Sequence, residues 1–295
     1  MQEEDTLHEL FRLLKSRFFS FNKGKRRKNR IEYKLKFSKY PKAEGGIRIG
    51  VVSDIEGAVD NARRSAQKLK SEKPDIIVIA GDCYESSNIR SVPMFPDDRD
   101  KHRQMRRGIE PYAKLDVPIL VIPGNHEDMK TYSRVMRHLS GRFPKVRDMH
   151  RKTYITKDVS MIFLGGYHNP MMTEPEGFMI DENDYEWLHK RLKVLKKKEK
   201  PIILVSHGPP MSTGMLDFLP FFGNVGDEVL SDIISSFKGD LVNLHGHIHE
   251  KTGEHYTFKN TIAINASAVT NFSNPRPPNT SIVEVSEGKI VYREI

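Results

Sequence analysis

A chain of 295 residues, 37% of them apolar and 29% charged, can bury a sizeable core, which excludes a disordered or fibrous protein. No uninterrupted apolar stretch approaches the roughly 18 residues of a membrane-spanning helix, Arg12, Lys15 and Arg17 break up the apolar N-terminal residues as no signal peptide would, and the single cysteine, Cys83, rules out an intrachain disulfide. A cytoplasmic protein is expected, and its net charge of +9, from 48 Lys and Arg against 39 Asp and Glu, keeps polyanions open as partners.

In chain order, residues 1–45 read as an extension and residues 46–295 as one catalytic domain. Leu7, Leu10, Phe11, Leu14 and Phe18 fall on one helical stripe opposite Arg12 and Arg17, so an amphipathic helix opens the extension, its apolar face suited to docking on its own domain or on a second subunit, with a membrane surface as the alternative. Residues 14 to 30 then hold eight basic and no acidic side chains. The run from Lys23 to Arg30 is either a solvated tail or a grip for nucleic acid or another anionic surface. Alternation of Ile31, Tyr33, Leu35 and Phe37 with polar residues marks a strand leading to the main sheet. A βαβ unit follows, with a strand at 47–53, a helix at 58–71 and a strand at 75–80. Residues 83–103 read as a long loop containing Pro93 and Pro96, of the kind that forms lids. A helix near 103–114 and a strand at 117–122 complete the first half.

Beyond residue 141 the pattern changes to short strands at 153–157 and 160–165. A basic helix over 182–199 turns Tyr185, Leu188, Leu192 and Leu195 inward and its lysines to water. A strand at 201–205, a helix at 225–236 and a strand at 240–244 come next, and short strands near 254–258, 261–265, 280–285 and 288–293 close the chain. Two stacked sheets flanked by helices are the expected result. Cys83, beside Asp82, reads as a small buried apolar residue at a strand end.

Five polar strings carry the chemistry: Ser53-Asp54-Ile55-Glu56-Gly57, Gly81-Asp82, Gly124-Asn125-His126-Glu127, Ser206-His207-Gly208 and Gly246-His247-Ile248-His249-Glu250. Four directly follow the apolar runs IRIGVV, DIIVIA, VPILVIP and PIILV, and the fifth follows DLVNL. Such runs are the mark of parallel strands buried on both faces, whose carboxyl ends deliver loop residues to one rim. Carboxylate, amide and imidazole groups converging there have the ligand chemistry of a pair of divalent cations. Isolated histidines such as His8, His102, His138 and His189 read instead as surface polar groups, and His168 and His245 fit either role.

In order and type, these strings resemble the calcineurin-like metallophosphoesterase superfamily over residues 47 to about 270. From Asp54 the gaps to Asp82, Asn125, His207, His247 and His249 are 28, 43, 82, 40 and 2 residues. Gly165-Gly166 with Asn169-Pro170, His207-Gly208-Pro209-Pro210 and Asn265-Ala266-Ser267 resemble its bacterial and archaeal phosphodiesterase-like branch. The resemblance implies a four-layer αββα sandwich of α/β class and a site with two metals, which activate a water to attack the phosphate ester. It implies Asp82 as the bridging ligand, Asp54 and His249 on the first metal, and Asn125, His207 and His247 on the second. His126 is implied as general acid for the leaving group, and Glu85 stands where protein-phosphatase relatives place a carboxylate that orients it. Those relatives continue with Arg-Gly where this chain has Ser86-Ser87, so a protein Ser/Thr phosphatase is disfavoured.

One position departs from the family. The first string is usually Asp-any-His, and Glu56 takes the place of that histidine. A carboxylate there is expected to ligate the first metal and to harden the site toward manganese, with iron, zinc or magnesium as alternatives; otherwise it supports the site through water or a neighbouring group. The expected activity is hydrolysis of small or nucleotide-like phosphate mono- or diesters. A nuclease that holds nucleic acid through residues 23–30, and a catalytically weak scaffold of the same fold, are the competing readings.

Overall fold

The computed structural model describes residues 30–33, 46–85, 98–174, 176–211, 216–219, 222–258, 261–266, 268–271, 273–274, 276–286 and 289–295. The stripe from Leu7 to Phe18, the basic cluster before Arg30 and most of the expected loop at 83–103 lie outside the described residues.

The first half follows the βαβ pattern. Strand β1 (Arg30–Tyr33) precedes β2 (Ile47–Val52), helix α1 (Val59–Glu72), β3 (Ile76–Ala80), α2 (Asp98–Ala113), β4 (Ile119–Ile122), α3 (Met129–Arg142) and β5 (Val146–Asp148). The second half runs β6 (Lys152–Ile155), β7 (Ser160–Leu164), α4 (Glu182–Lys196), β8 (Ile202–Ser206), β9 (Phe218–Leu219), β10 (Gly223–Asn224), α5 (Glu228–Ser236) and β11 (Leu241–His245). A single 3-10 turn at His249–Lys251 then leads to β12 (His255–Phe258), β13 (Thr261–Asn265), β14 (Ser281–Ser286) and β15 (Lys289–Glu294).

Among the described residues the strands form a seven-stranded sheet of order β1-β15-β14-β2-β3-β4-β5, a six-stranded sheet of order β12-β13-β11-β8-β7-β6, and the small β9-β10 ladder. In the first sheet β2, β3, β4 and β5 are parallel, and in the second β7, β8, β11 and β13 are parallel. β1, expected to lead out of the extension, pairs with β15 and so forms an edge of the first sheet.

Three apolar layers hold the four-layer sandwich together. Between the sheets, Ile49, Val51, Val78 and Leu120 of one meet Phe163, Ile203, Val242 and Ile264 of the other. On the outer face of the first sheet, Ile77, Ile79 and Val121 pack on Leu69, Ile109, Val135 and Leu139 of α1 to α3. On the outer face of the second, Ile162 and Leu204 pack on Leu188, Leu192, Leu195 and Ile234 of α4 and α5. Each such aliphatic side chain contributes about 1.5–3 kcal/mol by leaving water, and the strands are apolar at nearly every position because both of their faces are covered.

Four elements went unread in the sequence: α3, the short strand β5 and the two-residue strands β9 and β10. The expected loop also ends sooner than expected, because α2 begins at Asp98, and the helix expected from residue 225 begins at Glu228 after Asp227, whose carboxylate accepts from Leu230 N–H at 2.8 Å. Cys83 is fully buried in the apolar layer beneath α1 to α3, and burial pushes its thiol well above its usual range, which agrees with the packing role expected of it.

Candidate metal centre

The parallel strands β2, β3 and β4 of one sheet and β8 and β11 of the other end on a common rim, and the five strings emerge there. Asp54 follows β2, Asp82 follows β3, Asn125 and His126 follow β4, His207 follows β8, and His247 and His249 follow β11. The loops are stitched by backbone bonds: Asp54 N–H donates to Gly81 O at 3.0 Å, Glu56 N–H to Asp82 O at 2.9 Å, and Gly246 N–H to His207 O at 2.9 Å. Asp54, Glu56, Asp82 and His247 all lie in the left-handed region, with φ of 50°, 43°, 52° and 68°. Each such residue costs about 1 kcal/mol or more, so the turns at this rim are held against a local preference.

Most of the expected ligands come together. Asp82 Oδ2 lies 3.2 Å from His207 Nε2 and 3.4 Å from His126 Nδ1. His249 Nε2 lies 3.4 Å from Asp54 Oδ1 and 3.5 Å from Glu56 Oε1. Among the described residues two groups are close enough to hold an ion each, Asp82 with His207 and His247, and Glu56 with Asp82 and His126. Asp82 belongs to both. Glu56 is buried with its carboxylate toward His249 and His126, the direction a ligand would take.

The surroundings aim these groups. His207 Nδ1 sits 2.8 Å from Ala80 O and must donate to it, which turns Nε2 into the site. Asn125 Nδ2 donates to Met172 O at 2.6 Å, which points the amide oxygen, 2.6 Å from His207 Nε2, the same way. Asp54 accepts the His247 N–H at 3.1 Å and the Ser53 hydroxyl. The ring of His247 lies 4.1 Å from that of Tyr167. Close approach also requires glycine: a Cβ on Gly124 would collide with Asp82 Oδ1.

The electrostatics are those of a site that expects positive charge. Burial alone would strip His207 of its proton, but the charge and hydrogen bond of Asp82 outweigh it and hold the imidazolium up to about 9. Burial acts likewise on His249, and Glu56 and Asp54 reverse it, up to about 10. Asp82 is driven the opposite way: burial would raise its carboxyl, yet His126 and His207 carry it far below the usual range. Protons on the histidines thus fill a role that cations would fill in a metal site. Among the described residues, His126 Nδ1 and His247 Nε2 are buried without a hydrogen-bond partner. Buried nitrogens aimed at carboxylates, with oxygen and imidazole donors around them, fit divalent cations.

The sequence did not single out Glu127. Its carboxylate is fully buried and accepts three backbone N–H groups, from Asp82 at 2.9 Å, Gly124 at 2.6 Å and Cys83 at 2.6 Å. It therefore joins the β3 loop to the β4 loop behind the ligands. Burial raises its carboxyl to about 7, with Asp82 adding to the rise and the Gly124 and Cys83 N–H groups opposing it. Asp128, next in sequence, accepts from Thr131 N–H and starts α3. Glu85 donates its backbone N–H to Gln104 Oε1 at 3.0 Å, whereas the carboxylates facing His126 Nδ1 are Asp82 and Glu56, the latter at 3.7 Å. Of the two ambiguous histidines, His245 is buried at the end of β11 and burial pushes its imidazole down to about 4, while His168 Nδ1 lies 4.0 Å from Asp227.

Comparison with known proteins identifies the family. Residues 47–251 match the family described as calcineurin-like phosphoesterase. A probable glycerophosphodiester phosphodiesterase of Arcobacter nitrofigilis is 24% identical over 70% of this chain and 68% of its own length. The glycerophosphodiester phosphodiesterase of Enterobacter lignolyticus is 24% identical over 63% of this chain, which spans 59% of that protein, and purple acid phosphatase 15 of Arabidopsis thaliana is 23% identical over 72% of this chain and 42% of that protein. In fold, the chain resembles a dimetal phosphatase from Danio rerio, with a TM-score of 0.58 and 13% identity over 84% of this chain and 98% of that one. A protein of Thermus thermophilus gives the same score at 15% identity, again over 84% of this chain and 98% of its own.

Proposed function

The chain belongs to the calcineurin-like phosphoesterase family, and we propose that it is a metal-dependent hydrolase of small phosphate esters, with phosphodiesters as its first substrate class. The observation that carries this reading is the convergence on one rim of Asp54, Glu56, Asp82, Asn125, His207, His247 and His249, with Asp82 common to both ligand groups. The likeness to two proteins named as glycerophosphodiester phosphodiesterases supports the diester preference. A cytoplasmic setting goes with the buried free thiol of Cys83. The test is turnover of bis(p-nitrophenyl) phosphate, p-nitrophenyl phosphate, cyclic nucleotides and DNA by the full chain, before and after chelation. Diester hydrolysis lost on chelation and restored by metal is expected; metal-independent turnover overturns the reading, and DNA as the best substrate moves it to a nuclease.

Two divalent cations would supply positive charge to the phosphoryl oxygens and acidify an attacking water. The chain's own residues do the rest. Asp54, Glu56 and His249 form one side of the cradle and Asn125, His207 and His247 the other, with Asp82 between. The Ala80 carbonyl and the Met172 carbonyl hold His207 and Asn125 in the ligating orientation. His126 serves as general acid: its Nδ1 lies 3.4 Å from Asp82 and 3.7 Å from Glu56, carboxylates that orient the ring, and in the metal-free site burial lowers its pKa while Asp82, Glu56 and Glu127 outweigh this and raise it. Glu56, rather than Glu85, is the carboxylate we assign beside Asp82 to that histidine. His126→Ala is expected to slow alkyl esters by about 100-fold and aryl esters, whose leaving groups need no proton, by only a few-fold. Equal losses on both substrate types would remove the acid role.

Glu56 also sets the metal. An anionic oxygen in a position that relatives give to imidazole favours hard cations, so manganese is expected to be the best activator. In Glu56→His the preference is expected to move toward zinc by about tenfold in relative activation, because a neutral nitrogen ligand suits the softer ion. Metal titrations of both proteins check this. Superimposable profiles across manganese, magnesium and zinc would show that Glu56 holds no metal.

A further inference from the structure

The two sheets meet along one side where β5 is the edge of the first and β6 the edge of the second. The chain crosses from one sheet to the other there, through the short link between Asp148 and Lys152, and helices α3 and α4 stand on either side. Between them lies a groove of about 920 Å³, within the range of small-ligand sites. Its lining is strongly basic: Arg137, Arg147, Arg151, Lys152 and Arg191, against Asp148 as the one carboxylate.

Internal pairing accounts for only part of that charge. Lys152 Nζ is 2.8 Å from Asp148, and Arg151 is 3.5 Å from Asp184. Arg191 donates to the Thr153 hydroxyl at 3.1 Å, a neutral partner that fixes its guanidinium without discharging it. Arg147 stacks over the Tyr154 ring at 5.8 Å. Among the described residues, Arg137, Arg147 and Arg191 have no carboxylate within ion-pair distance. Guanidinium forks lining one concave site give it a positive potential that favours an anion, and their planar donors match phosphate oxygens.

The groove is also aromatic. Trp187 of α4 and Tyr154 of β6 are half-buried and line it. Aromatic faces interleaved with arginine are the recognition chemistry of a nucleobase joined to phosphate, because the rings stack on the base while the forks hold the charge. Neither inorganic phosphate nor an acidic peptide would use both halves. We propose that this groove is a second ligand site, apart from the metal centre, that binds a nucleotide through stacking on Trp187 and Tyr154 and phosphate contacts from Arg137, Arg147 and Arg191. The ligand is a free nucleotide or a residue of a single strand, which present the same chemistry.

Trp187 is the only tryptophan in the chain, so its fluorescence reports on this groove alone. The full-length protein, held in chelator, is titrated with adenosine monophosphate, adenosine, pyrophosphate and a short oligodeoxyadenylate. Adenosine monophosphate is expected to change the emission saturably, with adenosine and pyrophosphate each at least about tenfold weaker, a loss of about 1.4 kcal/mol or more for each missing half. Arg137→Ser with Arg147→Ser, both at exposed positions, is expected to weaken the nucleotide by about tenfold or more and to leave the unfolding midpoint unchanged. Asp82→Asn is expected to keep the response, which separates the groove from the metal centre. Tighter binding of the oligonucleotide, with a log-log salt slope near −0.7 per phosphate held, identifies a strand as the source, and equal or weaker binding identifies the free nucleotide. No saturable response, a response undiminished in the double variant, or pyrophosphate binding as tightly as adenosine monophosphate would overturn the proposal.

Discussion

Asp82→Asn is expected to lower turnover by about 1000-fold or more while leaving the protein folded. The substitution keeps shape and volume, so the apolar layers beneath β3 are untouched, and one oxygen remains to accept the His126 N–H that Asp82 Oδ1 now takes at 3.0 Å. What disappears is charge. Asp82 is the one member common to the two candidate ion groups, and its Oδ2 faces both His126 and His207. Replacing that oxygen with an amide nitrogen presents a donor where two cations need an acceptor, so both metals are weakened at once. A loss of about 4 kcal/mol in transition-state stabilisation corresponds to about 1000-fold in rate. Turnover measured beside metal content gives the check: bound metal is expected to fall together with activity. A variant that retains two metals and works within about tenfold of the parent would deny Asp82 its shared position.

The sequence made the rim legible because of how parallel sheets are buried. IRIGVV, DIIVIA and PIILV are apolar at almost every position, and β2, β3 and β8 are indeed covered on both faces, so the ends of these runs were reliable markers of where Asp54, Asp82 and His207 emerge. Residue type supplied the rest, since aspartate, asparagine and histidine at five strand ends of one rim have few structural uses. Helix α3 was harder. Its inward stripe of Tyr132, Val135, Met136 and Leu139 is present in the sequence, but it starts directly after a catalytic-looking string and its cap, Asp128, is easily read as one more polar residue of that string.

Other features were beyond local pattern altogether. Which carboxylate lies beside His126 depends on which segment folds back over it: the family resemblance implied Glu85, and Glu56, arriving from the β2 loop, stands 3.7 Å from His126 Nδ1. Tyr167 reaches His247 from the loop after β7 by crossing to the end of β11, a contact that no spacing announces. The basic groove is likewise tertiary. Arg137, Arg147 and Arg191 lie on α3, β5 and α4, three elements that only the fold brings together.

Glu127→Ala is expected to destabilise the protein by about 3–5 kcal/mol and to impair metal binding, although Glu127 itself belongs to neither candidate ion group. A buried carboxylate deleted from a satisfied network leaves its donors stranded, and here three backbone N–H groups lose their acceptor together. Each unpaired buried donor costs about 1–3 kcal/mol, moderated by whatever water enters the space left by the side chain. Two of the three belong to Asp82 and Cys83, in the turn that holds Asp82 at a φ of 52°. Without the Glu127 bonds that turn is expected to relax toward ordinary backbone geometry, carrying the Asp82 carboxylate away from His207 and His126. Denaturant unfolding of the metal-free protein measures the first effect and calorimetric metal titration the second. Glu127→Gln separates charge from shape: its single carbonyl can still accept from Asp82 and Gly124, so it is expected to fall between the parent and the alanine variant. A midpoint for Glu127→Ala within about 0.5 kcal/mol of the parent, the size of an ordinary surface substitution, would mean that the β3 and β4 loops hold their positions without this carboxylate.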